Sequence, residues 1–311
     1  MNKITILILT WKNIDLLKEC INSLEKQSFS LFDVVVVANG SYQPTIEFLQ
    51  KKKIRYFRFL KNQGVTKAFN YAAKKIQTKY IMFLNDDTEL DTDCVKHLFL
   101  FMEHQPNVSA CDSLILYRSS KNIVWSAGGK YSFFGKSNFR LQGKNIKFIS
   151  KKPKKTFCAI GSCAFYRKND IKSLDFFNDI YFLSHEDLDL SFKILSQKKK
   201  IYNIPKSKVY HSVSATTKRL SDSYVYRSQR SVEIVYLLNL NLILIFITLP
   251  LHLIYIFLGL IYFRNKNFKS FIRAKRDVFF EIPNLIKYRK IYQTKNKLNL
   301  IQQIKNIIIL R

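Results

Sequence analysis

Hydrophobic positions in the first hundred residues fall into short continuous runs separated by stretches with helical spacing. Ile4–Leu9 reads as a strand, and Ile14–Lys26 places Ile14, Leu17, Ile21 and Leu24 on one helix face. Asp33–Ala38, centred on four consecutive valines, predicts a second strand, and Thr45–Gln50 a helix. Ile54–Leu60 then reads as a strand, Thr66–Ile76 as a helix and Tyr80–Leu84 as a fourth strand. Unbroken Val/Ile runs suit strands covered on both faces of a parallel sheet, with the helices as right-handed crossovers. The expected class is α/β, with a Rossmann-like N-terminal half.

The pattern changes after Asp112. From about Ser113 to Lys155 periodicity is lost, and Gly128, Gly129, Gly135 and Gly143 mark turns or hairpins. Lys144, Lys147, Lys151, Lys152, Lys154 and Lys155 make this stretch basic, which reads first as a solvated loop and second as a phosphate- or lipid-facing one. Further on, Ile234–Phe263 contains no Asp, Glu, Lys or Arg. A bilayer core of ~30 Å needs about 20 apolar residues of helix, so this segment is long enough to span. Pro250 interrupts it, however, and Asn239, Asn241 and His252 are polar. Arg227 and Arg230 precede it, while Arg264, Lys266, Lys269, Arg273, Lys275 and Arg276 follow it, so one span would leave a basic cluster on the wrong side. A helix pair broken at Pro250 and lying in the membrane plane keeps both clusters on the cytoplasmic face; a single span and a buried core helix stay open as alternatives. The resulting division is a Rossmann-like half at 1–112, a second half at 113–231, an apolar membrane-associated segment at 232–263 and a basic tail at 264–311.

Composition narrows the partners. Fifty-two Lys and Arg against 22 Asp and Glu give a net charge of +30, yet 47% of residues are hydrophobic, which excludes ordinary disorder. Such a charge calls for a polyanion: nucleic acid, an anionic membrane or phosphate-bearing substrates. Residues 264–311 carry 13 Lys or Arg against only Asp277 and Glu281, directly after the apolar segment, which favours a membrane over nucleic acid. Five cysteines without a C-x-x-C pair indicate neither a disulfide framework nor a zinc site, and fit a reducing compartment. The apolar run after Met1-Asn2-Lys3 is too short for a signal sequence and reads as a buried strand.

Gly40 and Gly64 each follow a strand but lie in neither a G-x-G-x-x-G nor a P-loop pattern, so redox and NTPase readings lose their support. Four other pieces carry chemistry. Asn85-Asp86-Asp87-Thr88 places carboxylates at a strand end, where hard oxygen ligands suit Mg²⁺ or Mn²⁺, although a turn or cap is the plainer use. Glu186-Asp187-Leu188-Asp189 opens a helix, as caps do, and could equally supply a general base. Val209-Tyr210-His211 ends a short strand in a histidine that is either structural or a metal ligand. Asn62-Gln63-Gly64, with Asn70 beyond it, forms a loop entering a helix that can present N–H groups to phosphate.

Taken in order, Asn39-Gly40-Ser41, Asn62-x-Gly64, Asn85-x-Asp87-Thr88, Gly161-Ser162-Cys163-Ala164, Glu186-Asp187-x-Asp189 and Val209-Tyr210-His211 resemble the family 2 inverting glycosyltransferases. The likeness is strongest to rhamnosyltransferase-like members acting on bacterial surface polysaccharides, and runs from Ile4 to Arg230. It implies a GT-A fold, a nucleotide-diphosphate sugar donor, a saccharide acceptor and a divalent ion. By this resemblance Asp87 and His211 hold the metal, Asp187 is the base with Glu186 beside it, and Gly161, Ser162 and Asp189 serve the acceptor. Thr10, Trp11, Asn13, Asn39, Gly40, Asn62, Gly64, Asn70 and Asp86 would contact the donor. The family's usual acid before Asn-Gly-Ser is Ala38 here, and the acidic position shortly after it is Gln43, which leaves a catalytically degenerate member as an alternative. A nucleotidyltransferase is another, though Leu9–Asn13 carries no Gly-rich phosphate signature. The charge-free segment beside basic clusters points to a lipid-linked acceptor at the cytoplasmic membrane face, and no nucleic-acid recognition motif is present.

Overall fold

A computed structural model describes residues 3–213, 221–295 and 299–309. The N-terminal elements are β1 (Ile4–Thr10), α1 (Ile14–Glu25), β2 (Phe32–Asn39), α2 (Gln43–Lys51), β3 (Arg55–Phe59), α3 (Val65–Lys74) and β4 (Tyr80–Asn85). Each matches an expected element to within a few residues. Strands β1, β2, β3 and β4 are parallel, in the order β3-β2-β1-β4. Their alternation feeds two cores. Ile4, Ile6 and Ile8 point to the face covered by Leu17 and Ile21 of α1 and Leu49 of α2, whereas Leu7, Val35 and Val37 point to the face covered by Ala68, Phe69 and Ala72 of α3.

The sheet continues without a break. It gains β5 (Thr88–Leu90), then α4 (Cys94–His104) packs on the α1 side, followed by β6 (Val108–Tyr117) and β7 (Ser120–Ser126). A small hairpin of β8 (Gly129–Tyr131) and β9 (Ser137–Phe139) stands apart, and β10 (Lys154–Lys155) pairs at the sheet edge. Next come β11 (Cys163–Arg167), α5 (Lys168–Ser173), α6 (Glu186–Ser196) and β12 (Lys200–His211). The order β10-β12-β6-β11-β4-β1-β2-β3 inserts β11 antiparallel between β4 and β6. The stretch expected to be irregular opens with the end of β6, β7 and the β8–β9 hairpin, whereas residues 140–153 hold no strand, and Lys144, Lys147, Lys151, Lys152, Lys154 and Lys155 are exposed. His211 closes a twelve-residue strand, not a short one. The boundary drawn at 112/113 falls inside β6.

The chain ends in α7 (Asp222–Asn239), α8 (Leu242–Phe263), α9 (Phe268–Lys295) and α10 (Leu300–Ile309). The boundary at 231/232 falls inside α7, whose Ile234, Val235, Tyr236 and Leu238 are buried in the core. The apolar segment breaks at Leu240-Asn241, where Asn241 caps α8 by accepting from Ile243 N at 2.9 Å; Pro250 lies within α8 and does not divide it. Arg289 of α9 donates to the carbonyls of Leu237 and Leu240, satisfying the C-terminal end of α7. All five cysteines are buried and free.

Candidate active site

The C-terminal ends of β1, β2, β4 and β12 meet at one cleft of about 1180 Å³. Between β2 and β4 the strand order reverses around β1, the position where open α/β sheets bind ligands. Thr10 and Trp11 contribute from the end of β1, Asn39 from β2, Asn85, Asp86 and Asp87 from β4, and His211 from β12. Gly161, Ser162, Glu186 and Asp187 form the facing wall. Buried polar atoms are normally paired, yet Asp87 Oδ1, Ser162 Oγ and Glu186 Oε2 are buried without hydrogen-bond partners, and all three residues line this cleft.

The donor-side loop is tied together by side chains. Asn39 Nδ2 donates to Asn62 Oδ1 at 3.0 Å and to Gly64 O at 3.1 Å, while its Oδ1 accepts from Gln63 N at 2.8 Å. Gly64 has φ +83°, and a Cβ there would sit 2.7 Å from Phe182 O, so only glycine lets this loop approach the segment leading into α6.

The acidic pair divides its work. Asp86 Oδ2 accepts from the Thr10 hydroxyl at 2.8 Å, and burial pushes its pKa up to about 7 against that bond, with Asp87 adding to the rise. Asp87 points at β12. Antiparallel pairing of β5 with β12, and a bond from Ser212 N to Asp87 O at 2.9 Å, bring His211 Nε2 within 3.0 Å of Asp87 Oδ1. The two atoms touch without hydrogen-bond alignment, so Asp87 Oδ1 has no hydrogen-bond partner, and the other ring nitrogen, His211 Nδ1, has none either. Trp125 stands edge-on to the imidazole at 4.9 Å.

A carboxylate oxygen and an imidazole nitrogen converging in this way fit a divalent ion. No group of three or more His, Cys, Asp or Glu side chains suited to a metal occurs among the described residues, so an ion held by this pair would need further oxygen ligands from outside the chain, as is usual for Mg²⁺ and Mn²⁺. The orphaned Asp87 oxygen is the observation that supports this fit.

Ser184 (φ 73°) and His185 (φ 69°) precede α6 in left-handed conformations, an uncommon and strained arrangement for two residues with side chains. The turn they make delivers Glu186 and Asp187 to the cleft wall. Asp187 is held by backbone: Gly161 N donates to Oδ2 at 2.9 Å and Leu188 N to Oδ1 at 2.8 Å. Burial raises its pKa, while these two amides oppose the rise. Glu186 has no such support at Oε2, and burial together with the neighbouring Asp187 pushes it up to about 8. Burial and mutual repulsion thus favour a single charge on the pair, and the two amides favour Asp187 as its seat. His185, depressed to about 4 by burial and by Lys275, stays neutral.

Behind Gly161 stands Asp112, buried in β6. Its Oδ2 accepts from Ile160 N at 3.0 Å and its Oδ1 from Asn203 at 2.9 Å. It fixes the loop whose next amide holds Asp187.

Several expected site residues lie elsewhere. Asn13 is the N-cap of α1, accepting from Leu16 N at 3.1 Å, and is not on the cleft wall. Asn70 donates to Phe177 O and Asp179, both at 2.8 Å, stitching α3 to the segment before α6. Gly40 serves the turn after β2, where φ is +75°. Asp189 is fully buried and accepts from Tyr181 and Asn239 behind the wall, so it supports α6 and does not reach an acceptor. Ala38 is buried in β2 and does not line the cleft.

The cleft also has walls that sequence reasoning missed. Arg227, read only as a basic flank, lies over the Phe182 ring at 3.5 Å and forms no ion pair among the described residues. Lys12, Lys136 and Asn138 add polar groups, and Tyr255, Tyr262 and Phe263 add an apolar side from α8.

Residues 5–175 match the sequence pattern of the family described as Glycosyl transferase family 2. Among curated proteins, the teichoic acid poly(glycerol phosphate) polymerase of Staphylococcus epidermidis is 29% identical over 96 residues, 29% of this chain and 13% of that protein. The poly-beta-1,6-N-acetyl-D-glucosamine synthase of Staphylococcus aureus is 23% identical over 125 residues, 39% of this chain and 30% of that protein. The matched stretches thus span less than a third of these relatives. Among solved structures, GalNAc-T7 with UDP, GalNAc and Mn²⁺ superposes with a TM-score of 0.62 at 15% identity, covering 75% of this chain and 48% of that one. S. aureus TarS 1–349 in complex with UDP superposes with a TM-score of 0.54 at 20% identity, covering 77% and 67%. The shared architecture is the GT-A fold.

Proposed function

Because this chain belongs to glycosyl transferase family 2, we propose that it transfers a sugar, with inversion, from a nucleotide-diphosphate donor to a hydroxyl of a lipid-linked saccharide during bacterial surface polysaccharide synthesis. The carrying observation is the facing of two sites across one cleft: Asp87 and His211 on the donor side, Asp187 held by two backbone amides on the other.

In this reading the nucleotide lies along Thr10, Trp11 and the Asn39–Asn62–Gly64 loop. Asp87 and His211 would hold a divalent ion, which when bound would neutralise charge on the diphosphate. Arg227 and Lys12 add positive charge at the same cleft. Asp187 takes the proton from the acceptor hydroxyl as its oxygen forms a bond to the anomeric carbon. The bond from that carbon to the diphosphate oxygen breaks, its electron pair leaving with the nucleotide, and one displacement inverts the configuration. General base catalysis of this kind supplies about 10²–10⁴-fold, with positioning adding to it. Glu186, protonated at neutral pH, can donate a hydrogen bond to the acceptor but not act as the base.

Several neighbours are named with UDP or with surface-polymer synthesis, which supports a nucleotide-sugar donor and a cell-surface product. Helix α8 is long and apolar enough to cross a membrane, which supports action at the cytoplasmic membrane face. Ala38, where the family's usual acid is absent, is buried in β2 off the cleft wall, so its identity leaves Asp87, Asp187 and His211 in place. The test is a screen of nucleotide sugars for diphosphate release with and without saccharide acceptors. Release that depends on an acceptor and is abolished by chelator supports the reading; no turnover of any nucleotide sugar, with retained UDP binding, favours the degenerate alternative.

A further inference from the structure

Helix α8 inverts the usual amphipathic pattern. Its buried stripe carries Leu244, Thr248 and His252, while Phe246, Ile247, Leu253, Phe257 and Leu258 on the outside are each 55–81% exposed. A water-facing helix has the opposite arrangement. Exposed apolar faces of this extent mark a binding surface.

The polar stripe also fixes the helix's orientation. His252 is at the middle of α8. Its Nδ1 lies 2.8 Å from Phe134 O in the β8–β9 turn, and its Nε2 lies 2.7 Å from Glu233 of α7, which also pairs with Lys275 of α9. The ring stacks on Tyr236 at 3.9 Å. Near its end, Gly259 abuts Phe271 of α9 so closely that a Cβ would sit 2.5 Å from that ring. The helix is therefore bound along its length to the catalytic body. Were α8 to span, its midpoint would lie at the bilayer centre, and the β8–β9 turn with the Glu233–Lys275 pair would have to enter hydrocarbon with it.

We propose that α8 lies in the plane of an anionic bilayer, its outward face immersed in one leaflet, so that the cleft opens at the membrane surface beside Tyr255, Tyr262 and Phe263. The occupant is a lipid leaflet and not a second copy because the exposed face is edged by cations: Arg264, Lys266, Lys269, Arg273 and Arg276 are all exposed immediately after it. Apolar insertion combined with basic residues at head-group level is the signature of interfacial helices, whereas a copy of the same chain would set these charges against each other. The inference deepens the transferase reading by naming the surface on which its acceptor is met.

The experiment uses the full chain with vesicles of phosphatidylglycerol and phosphatidylcholine, and with phosphatidylcholine alone. Binding is expected to the anionic vesicles and to weaken with salt. The double variant Phe246→Ser/Phe257→Ser, at exposed positions where folding is not disturbed, should lower partitioning by roughly 100-fold, about tenfold for each lost aromatic. Depth then separates orientations. Phe246→Trp and Phe257→Trp are 11 residues apart on one face, about 16 Å along a helix. Quenching by brominated lipids, taken as the increment over the parent protein, should report equal depths. Depths differing by about 16 Å would establish a span and overturn the proposal, as would absence of vesicle binding, or a lipid-free dimer abolished by the Phe246→Ser/Phe257→Ser variant. These readouts need no turnover. Vesicle binding without sugar transfer would sink the transferase reading alone, and transfer without vesicle binding would sink the membrane inference alone.

Discussion

Replacing Asp187 by Asn removes one charge and almost no volume, so its two consequences can be worked separately. In the folded protein Oδ1 and Oδ2 accept from Leu188 N and Gly161 N at 2.8 and 2.9 Å. An amide can accept from only one of these and must turn its own N–H groups toward the other. That leaves one backbone donor unsatisfied, a loss of about 1–3 kcal/mol, or a melting temperature lower by several degrees. The catalytic loss is larger: removal of the base costs about 10²–10⁴-fold in kcat, roughly 3–5 kcal/mol of barrier. The assay is acceptor-dependent release of nucleoside diphosphate, with UDP titration to show that the donor site is intact. Glu186→Gln is the control. Because Glu186, raised to about 8, is protonated at pH 7, Gln imitates its resting state and kcat should fall by less than roughly tenfold. Asp187→Asn retaining transfer near the wild-type rate while binding UDP would refute the assignment, and an inactive Glu186→Gln beside an active Asp187→Asn would reverse the two roles.

Three further outcomes are expected. His211→Ala, which removes one of two converging protein ligands, should raise the divalent-ion concentration needed for half-maximal activity by about tenfold or more, while leaving UDP binding in chelator unchanged. Gly64→Ala forces a Cβ to within 2.7 Å of Phe182 O and strains a left-handed position, so donor KM should rise and thermal stability fall together; an unchanged KM would refute the loop's role. The third concerns pH: Asp86 and Asp112 are raised to about 7 and Glu186 to about 8, so the folded state binds more protons than the unfolded one between about pH 4 and 8. Stability from these groups is full below pH 4 and is lost as pH rises through 7–8, so in chelator the melting temperature should fall from pH 5.5 to 8.5, and Asp112→Asn should flatten the slope.

Much of the catalytic wall was legible because chemistry at strand ends is local. Continuous Val/Ile runs identified β1, β2 and β4, and the polar residues that end them had to face the ligand edge of the sheet. For the same reason Asp86 and Asp87 could be singled out before their surroundings were known, and Glu186 and Asp187 because they open a helix. Asn13, Asn70 and Asp189 show where that logic stops. Each is a polar residue beside a motif, but whether its side chain turns to a ligand or to a neighbouring backbone depends on what packs against it. Asn13 caps its own helix, Asn70 bonds Phe177 and Asp179, and Asp189 bonds Tyr181 and Asn239.

By itself the chain's pattern determined the alternating α/β half, the order of the motifs and an apolar segment bordered by cations. Those are statements about which residues are apolar and how they are spaced, and spacing is a local property. Only the tertiary structure decided that β5–β12 pairing sets His211 against Asp87, that Asp112 holds the loop behind Asp187, and that the apolar segment splits into a buried end of α7 and an exposed α8. Hydrophobicity specifies that a surface must leave water, but not whether it does so against protein or lipid. For α8 the structure shows only the direction of that surface: buried contacts from His252 to Phe134 and Glu233 bind the middle of the helix to the body of the protein and turn its apolar face outward.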